Sequence, residues 1–166
     1  MDTPEISRPT MPGYGIAGPA EGSGLLPWSW AADRLTAAKN YWVTSVWPDG
    51  RPHSTPVWGM WDDPVLWFTC AVGSRKARNL SAEPRCVITT EGASDPVIIE
   101  GIARIVTDDQ SIRRALDLMN TKYHTDIEIS FLDPARNSTI AVRPGKVIGM
   151  RHDDFNGSPT RWTFGG

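Results

Sequence analysis

The stretch Gly73-Ser74-Arg75-Lys76-Ala77-Arg78-Asn79-Leu80 holds the residues best suited to chemistry. Ser74 opens a predicted helix running to about Ala82, and Arg75, Lys76 and Arg78 fall in its first turns, with no acid before Glu83. The start of a helix exposes unpaired N–H groups and a partial positive charge, so acidic side chains normally gather there. Cations in that place repel one another unless an anion sits among them. With the Ser74 hydroxyl and the free backbone amides they form a donor set suited to phosphate, at the end of a predicted strand Val65–Thr69. The alternative is a solvated basic face whose long side chains reach water. The residues alone leave both readings open.

The second chemical feature is tryptophan, at positions 28, 30, 42, 47, 58, 61, 67 and 162. Each buried indole N–H wants a partner, so eight are either the lining of a flat aromatic ligand site or interface, or the packing of a small core. Other catalytic sets are missing. His53, His124 and His152 show no metal-ligand spacing, and His152-Asp153-Asp154 reads as a polar turn, so no metal site is expected. There is no G-x-S-x-G elbow, and Cys70 lies in a predicted strand with no base near it in the sequence. Gly13-Tyr14-Gly15-Ile16-Ala17-Gly18 matches G-x-G-x-x-G, but Pro12 and Pro19 deny it the strand and helix that a dinucleotide turn requires. An anion site and aromatic surfaces without an acid–base pair suit a protein whose bound cofactor carries the chemistry.

These groups need a scaffold, and the chain of 166 residues is long enough to bury a core. Its hydrophobic fraction of 40% is ordinary for a folded globule, and a net charge of −2 with a pI near 5.9 argues against a dedicated nucleic-acid binder. No run approaches the ~18 apolar residues of a membrane span. The N-terminus carries no basic and apolar leader pattern, and the two cysteines, Cys70 and Cys86, read as small buried hydrophobes of a reducing compartment. The expected location is the cytoplasm.

Residues 1–27, with five Pro and five Gly, are expected to be an extended or mobile arm, and residues 28–166 the folded domain. Ser29 is expected to cap a helix to about Ala38. Strands are predicted over Tyr41–Trp47, His53–Trp61, Val65–Thr69, Arg85–Thr90 and Val97–Val106. Pro56 and Gly59 mark the second of these as an edge, a bulge or a corner. Ile112, Ala115, Leu116, Met119 and Tyr123 form the apolar stripe of a helix near whose cap Asp108 stands. Thr139–Arg143 and Lys146–Arg151 read as a hairpin around Pro144-Gly145, and Arg161–Phe164 as a last short strand. Connections as short as Asp62–Pro64 require antiparallel pairing. The expected fold is mainly β with a few helices: six or seven antiparallel strands closing into a small barrel.

The run from Trp67 to Glu91, preceded by Asp49–Asp63, resembles the pyridoxamine 5′-phosphate oxidase-like split β-barrel family, and within it the flavin/deazaflavin oxidoreductases. The resemblance covers about residues 28–151. It implies that Ser74, Arg75 and Lys76 hold the cofactor phosphate, with Thr69 at the strand end and Asn79 in the Arg-Asn-Leu extension of the deazaflavin-like members. It also implies that Pro56, Val57 and Trp58 lie against the cofactor ring. The family's homodimers place cofactor sites at the subunit interface, which makes Arg161 and Trp162 candidates to reach a partner's site.

One departure bears on the cofactor. The FMN oxidases of the family carry an Arg and a Lys on the strand before the phosphate motif, and Pro52–Trp61 has neither. The resemblance therefore implies a reductase using the deazaflavin F-420, whose anionic oligoglutamate tail suits the field of Arg75, Lys76 and Arg78. It would transfer hydride between cofactor and a small organic substrate. The alternatives are an FMN-binding oxidoreductase and a non-catalytic carrier of flavin, deazaflavin or haem. Part of residues 1–27 could serve as a lid over the cleft.

Overall fold

Alternation of inward and outward residues organises most of the chain. A computed structural model describes residues 3–21 and 24–165. The elements in order are β1 (Glu5–Ser7), α1 (Trp28–Ala37), β2 (Asn40–Val46), β3 (Pro52–Trp58), β4 (Met60–Asp62), β5 (Val65–Ala71), α2 (Arg75–Ala82), β6 (Arg85–Thr90), β7 (Val97–Val106), α3 (Asp109–Tyr123), β8 (Asn137–Gly149) and β9 (Thr160–Thr163). Short 3-10 turns lie at Ile129–Leu132 and His152–Asp154.

Among the described residues the strands number nine rather than six or seven, and every pairing is antiparallel. The hydrogen-bonded order is β1-β9-β8-β7-β6-β2-β3, with β5 joined to β8 and β4 to β5. β3 and β5 come close without a ladder between them, so the barrel does not close but stays split along that seam.

Several local readings change. The strand expected over His53–Trp61 breaks at Gly59, where the ring of Tyr41 lies so near that a Cβ would meet it at 2.7 Å. The expected hairpin at Pro144-Gly145 is instead one strand, β8. Gly101 stands opposite Pro144 and Glu100 opposite Lys146, so Gly145 is the extra residue of a bulge that bends the strand without ending it. Pro27, not Ser29, occupies the N-cap of α1, and Ser29 lies inside the first turn. The last strand runs Thr160–Thr163.

The N-terminal segment is pinned where it is described. β1 pairs with β9, and the Arg8 guanidinium donates to the carbonyls of Gly157, Pro159 and Gly18. β1 thus lies at the opposite end of the strand order from β3; Gly13 and Gly15 adopt positive φ, and the Asn156 side-chain amide donates to the carbonyls of Tyr14 and Gly15.

Two cores result. Within the barrel, Tyr41, Val43, Phe68, Ile88, Ile99 and Ile140 pack beneath Leu35 and Ala31 of α1. Outside it, Ile112, Ala115 and Met119 of α3 cover Met60, Trp67, Val106 and Ala141. Asp108 caps α3 by accepting the Ser111 N–H at 2.9 Å, and His124 ends it at φ 53°. Four tryptophans serve packing. Trp28 makes edge contacts with Trp61 and Trp162, and Trp30 stacks on Trp162. Trp162 is fully buried, so it cannot extend to a partner's site, and Arg161 is engaged with the Ser7 hydroxyl. Among the described residues no helix is long and apolar enough to cross a membrane.

Candidate functional site

Helix α2 forms where β5 ends, because Ser74 turns the chain and its hydroxyl accepts the Ala77 N–H at 3.3 Å. That cap leaves the amides of Arg75 and Lys76 directed off the helix start, as in any first turn. Ala77 and Leu80 are buried against the barrel, which sets the helix rotation and brings Arg75 and Asn79 over β2.

The Arg75 guanidinium lies 3.8 Å from the ring centroid of Trp47, just past the end of β2. One turn later, Asn79 is almost fully buried and its amide donates to the Ser45 hydroxyl at 3.1 Å. Ser45 and Trp47 are two residues apart and so share a face of the strand. Arg51, on the turn into β3, brings a second guanidinium to Trp47, at 4.6 Å from its centroid. The same residue pairs with Asp49 at 2.8 Å, both side chains being exposed.

Among the described residues, no carboxylate forms an ion pair with Arg75, Lys76 or Arg78; the nearest acid in sequence, Glu83, is taken by Arg85. Three cations thus stand at a positive helix end without internal neutralisation. Cys70 lies on the inner side of β5, packed against the barrel core. Burial pushes its thiol above the usual range, against the smaller pull of Ser74 and Lys76.

Placement separates the expected residues into two groups. Ser74, Arg75, Lys76 and Asn79 stand together. Thr69 pairs with Thr139 and faces the side of β5 opposite Cys70, away from the Ser74 hydroxyl. Pro56 lies exposed opposite Trp42, Val57 is buried in the core, and Trp58 stacks on Tyr123 with centroids 4.3 Å apart and an 8° interplanar angle. Trp58 is six residues along β3 from Pro52, or roughly 20 Å from the Arg75 end of the site. The Tyr123 hydroxyl accepts the Gly59 N–H at 2.8 Å, and the Lys122 ammonium donates to Tyr41 Oη and Gly59 O, each at 2.8 Å. Burial brings Lys122 down to about 8.

The sequence singles out neither Ser45 nor Arg51, and it presents Trp47 only as one of eight tryptophans. Their signal was the alternation on β2: Ser45 and Trp47 share the face that α2 covers, which a tally of tryptophans hides.

Among the described residues, Asn79 Oδ1 of α2 and His53 Nδ1 and Thr55 Oγ1 of β3 are buried without a hydrogen-bond partner. Uncompensated cations at the helix start, with free polar capacity behind them, fit an anionic group with hydrogen-bonding edges.

An antiparallel barrel left open along one seam, with such a helix start beside it, is the architecture of a flavin-type cofactor binder. Solved structures share it. An F-420 reductase is 25% identical, with a TM-score of 0.57 over 69% of this chain and 93% of its own. A conserved hypothetical protein from Mycobacterium tuberculosis is 19% identical, with a TM-score of 0.70 over 86% and 91%. A FAD-binding protein from Mesorhizobium loti is 16% identical, with a TM-score of 0.58 over 84% and 96%. No curated protein matches the chain. The pyridoxamine 5′-phosphate oxidase family matches residues 31–150, and the chain belongs to that family of oxidoreductases.

Proposed function

We propose that this protein is an F-420-dependent oxidoreductase that passes hydride between the deazaflavin and a small organic substrate, and that it works as a homodimer with the cofactor held at the subunit interface. The observation that carries the reading is the start of α2, where Arg75, Lys76 and Arg78 have no carboxylate in ion-pair contact among the described residues. A ligand with several anionic groups matches that surplus better than one with a single phosphate. The composition of β3, Pro-His-Ser-Thr-Pro-Val-Trp, supports it by lacking the Arg and Lys of the FMN oxidases. The 25% identity to an F-420 reductase points the same way.

In this reading the deazaflavin supplies the hydride chemistry. Arg75, Lys76 and their backbone amides hold the phosphate end, and the Ser74 cap and the Asn79–Ser45 bond fix the helix that carries them. No side chain is assigned as an acid or base. The dimer reading rests on the outer face of β2, β6 and β7, where a groove of about 620 Å³ is lined by Val46, Val87 and Ile102. Trp42 and Ile102 stay 45% and 52% exposed, apolar surface that a second copy would cover.

Titration of the purified protein with F-420 and with FMN, followed by fluorescence, tests the cofactor. Micromolar binding of F-420 in preference to FMN is expected. Preference for FMN, or a preparation that is yellow as purified, overturns the assignment. Tight binding with no turnover of any acceptor would make the protein a carrier. Sedimentation of the wild type and of Ile102→Glu tests the dimer, which the acidic variant should split.

A further inference from the structure

Among the described residues, Trp47 is the one indole in contact with two guanidiniums. Arg75 lies 3.8 Å from its centroid and Arg51 4.6 Å, while the His53 ring meets it edge-on at 6.4 Å. Arg75 comes from the start of α2 and Arg51 from the turn between β2 and β3, so one aromatic ring joins two elements that are far apart in sequence. The backbone carbonyl of Arg51 accepts the backbone N–H of Trp47 at 2.8 Å, which closes the turn that carries both residues.

We propose that Trp47 is a positioning residue that holds the Arg75 guanidinium at the helix start, and that Arg51 extends the cradle to a second anionic group of the ligand. The inference rests on the cofactor reading above and deepens it. A planar cation over an indole face loses little further freedom on binding an anion, because the ring has already chosen its place. Two guanidiniums on one ring repel each other, and an anionic ligand relieves that repulsion. Arg75 has no carboxylate among the described residues, whereas Arg51 has Asp49 at 2.8 Å. Asp49 therefore acts as an internal competitor, occupying Arg51 until a stronger anion arrives. The ligand class this clamp selects carries at least two separated negative groups, such as a phosphate followed by carboxylates. A mononucleotide with one phosphate would use Arg75 and leave Arg51 with Asp49.

The test is titration of F-420 and FMN into the wild type, Trp47→Leu, Trp47→Phe, Arg51→Ala and Asp49→Asn, at two salt concentrations, with thermal melts alongside. Trp47→Leu should weaken F-420 binding about tenfold, and Trp47→Phe, which keeps a π face, should recover most of it. Arg51→Ala should weaken F-420 but not FMN, and should lessen the salt dependence of F-420 binding. Asp49→Asn should tighten F-420. If Trp47→Leu and Arg51→Ala melt normally and bind F-420 as the wild type does, the clamp is wrong and the cofactor reading stands. If Trp47→Phe fails along with Trp47→Leu, the ring serves packing and the positioning role is overturned. If the wild type binds neither cofactor at micromolar concentration, the cofactor reading itself falls, and the clamp with it.

Discussion

The Lys122 ammonium donates to Tyr41 Oη at 2.8 Å and stands 4.9 Å from the centroid of the same ring. The Tyr41 hydroxyl in turn donates to the carbonyl of Leu35 at the end of α1. This short chain couples α1, β2 and α3 at the Gly59 corner, and it places a half-buried cation where water is scarce.

A pH dependence follows. Burial lowers Lys122 to about 8 in the folded state, against roughly 10.4 in an unfolded chain. Between those values the unfolded state binds the extra proton, so stability rises with pH from about 8 to about 10. Tyr41 is shifted up, first by burial, so above about 10 the unfolded state loses the phenolic proton first and stability falls again. Urea midpoints measured from pH 7.5 to 10.5 should pass through a maximum, and Lys122→Met should flatten the rising limb while leaving the falling one.

The α2 cap can be weakened without touching the cations. Ser74→Ala removes the acceptor for the Ala77 N–H and should cost about 1 kcal/mol of stability. It also removes a hydroxyl from the anion cradle, so affinity for F-420 should drop while Ser74→Thr keeps both. Equal affinity in Ser74→Ala would show that the hydroxyl serves the helix alone.

Asn79 is buried with its Oδ1 unpaired beneath the basic turn. Asn79→Asp would place a carboxylate there that neutralises part of the local field. F-420 affinity should fall, and more at low salt than at high salt. A uniform loss at all salt concentrations would mean damage to the fold rather than to the field.

Gly101 stands where β8 bulges, and a Cβ there would meet the Arg143 carbonyl oxygen at 2.7 Å and Val142 Cγ1 at 2.8 Å. The oxygen belongs to the backbone of a paired strand and has little room to yield. Gly101→Ala should therefore lower stability by about 1–3 kcal/mol, read from the urea midpoint. An unchanged midpoint would show that the bulge absorbs the methyl.

The elements with local determinants could be read from residues alone. Ser74 and Asp108 announce α2 and α3 as caps, and the Ile112–Ala115–Met119 spacing gives the buried face of α3. The misreadings arise where distant partners decide. Pro144-Gly145 has the chemistry of a turn, yet the ladder to β7 runs through it because Gly101 leaves room on the facing strand. β1 is three residues in a Pro-rich segment, and its partner Thr160–Thr163 lies more than 150 positions away, so nothing local marks it as a strand. In the site, Ser74, Arg75, Lys76 and Asn79 are contiguous and could be found as a motif. Trp47 and Ser45 belong to it only because α2 rises about 6 Å per four residues and a strand advances about 6.6 Å per two, so the two spacings match across the interface.

The two ends of the strand order are guarded against accretion of foreign chains by different means. β9 is covered by β1, so a truncation that removed Glu5–Ser7 would bare a ready template for another strand and promote aggregation. β3 has no such cover, but Pro52 and Pro56 share one ladder parity and neither can offer an N–H. The free edge of β3 is thereby kept from templating a further strand without being paired.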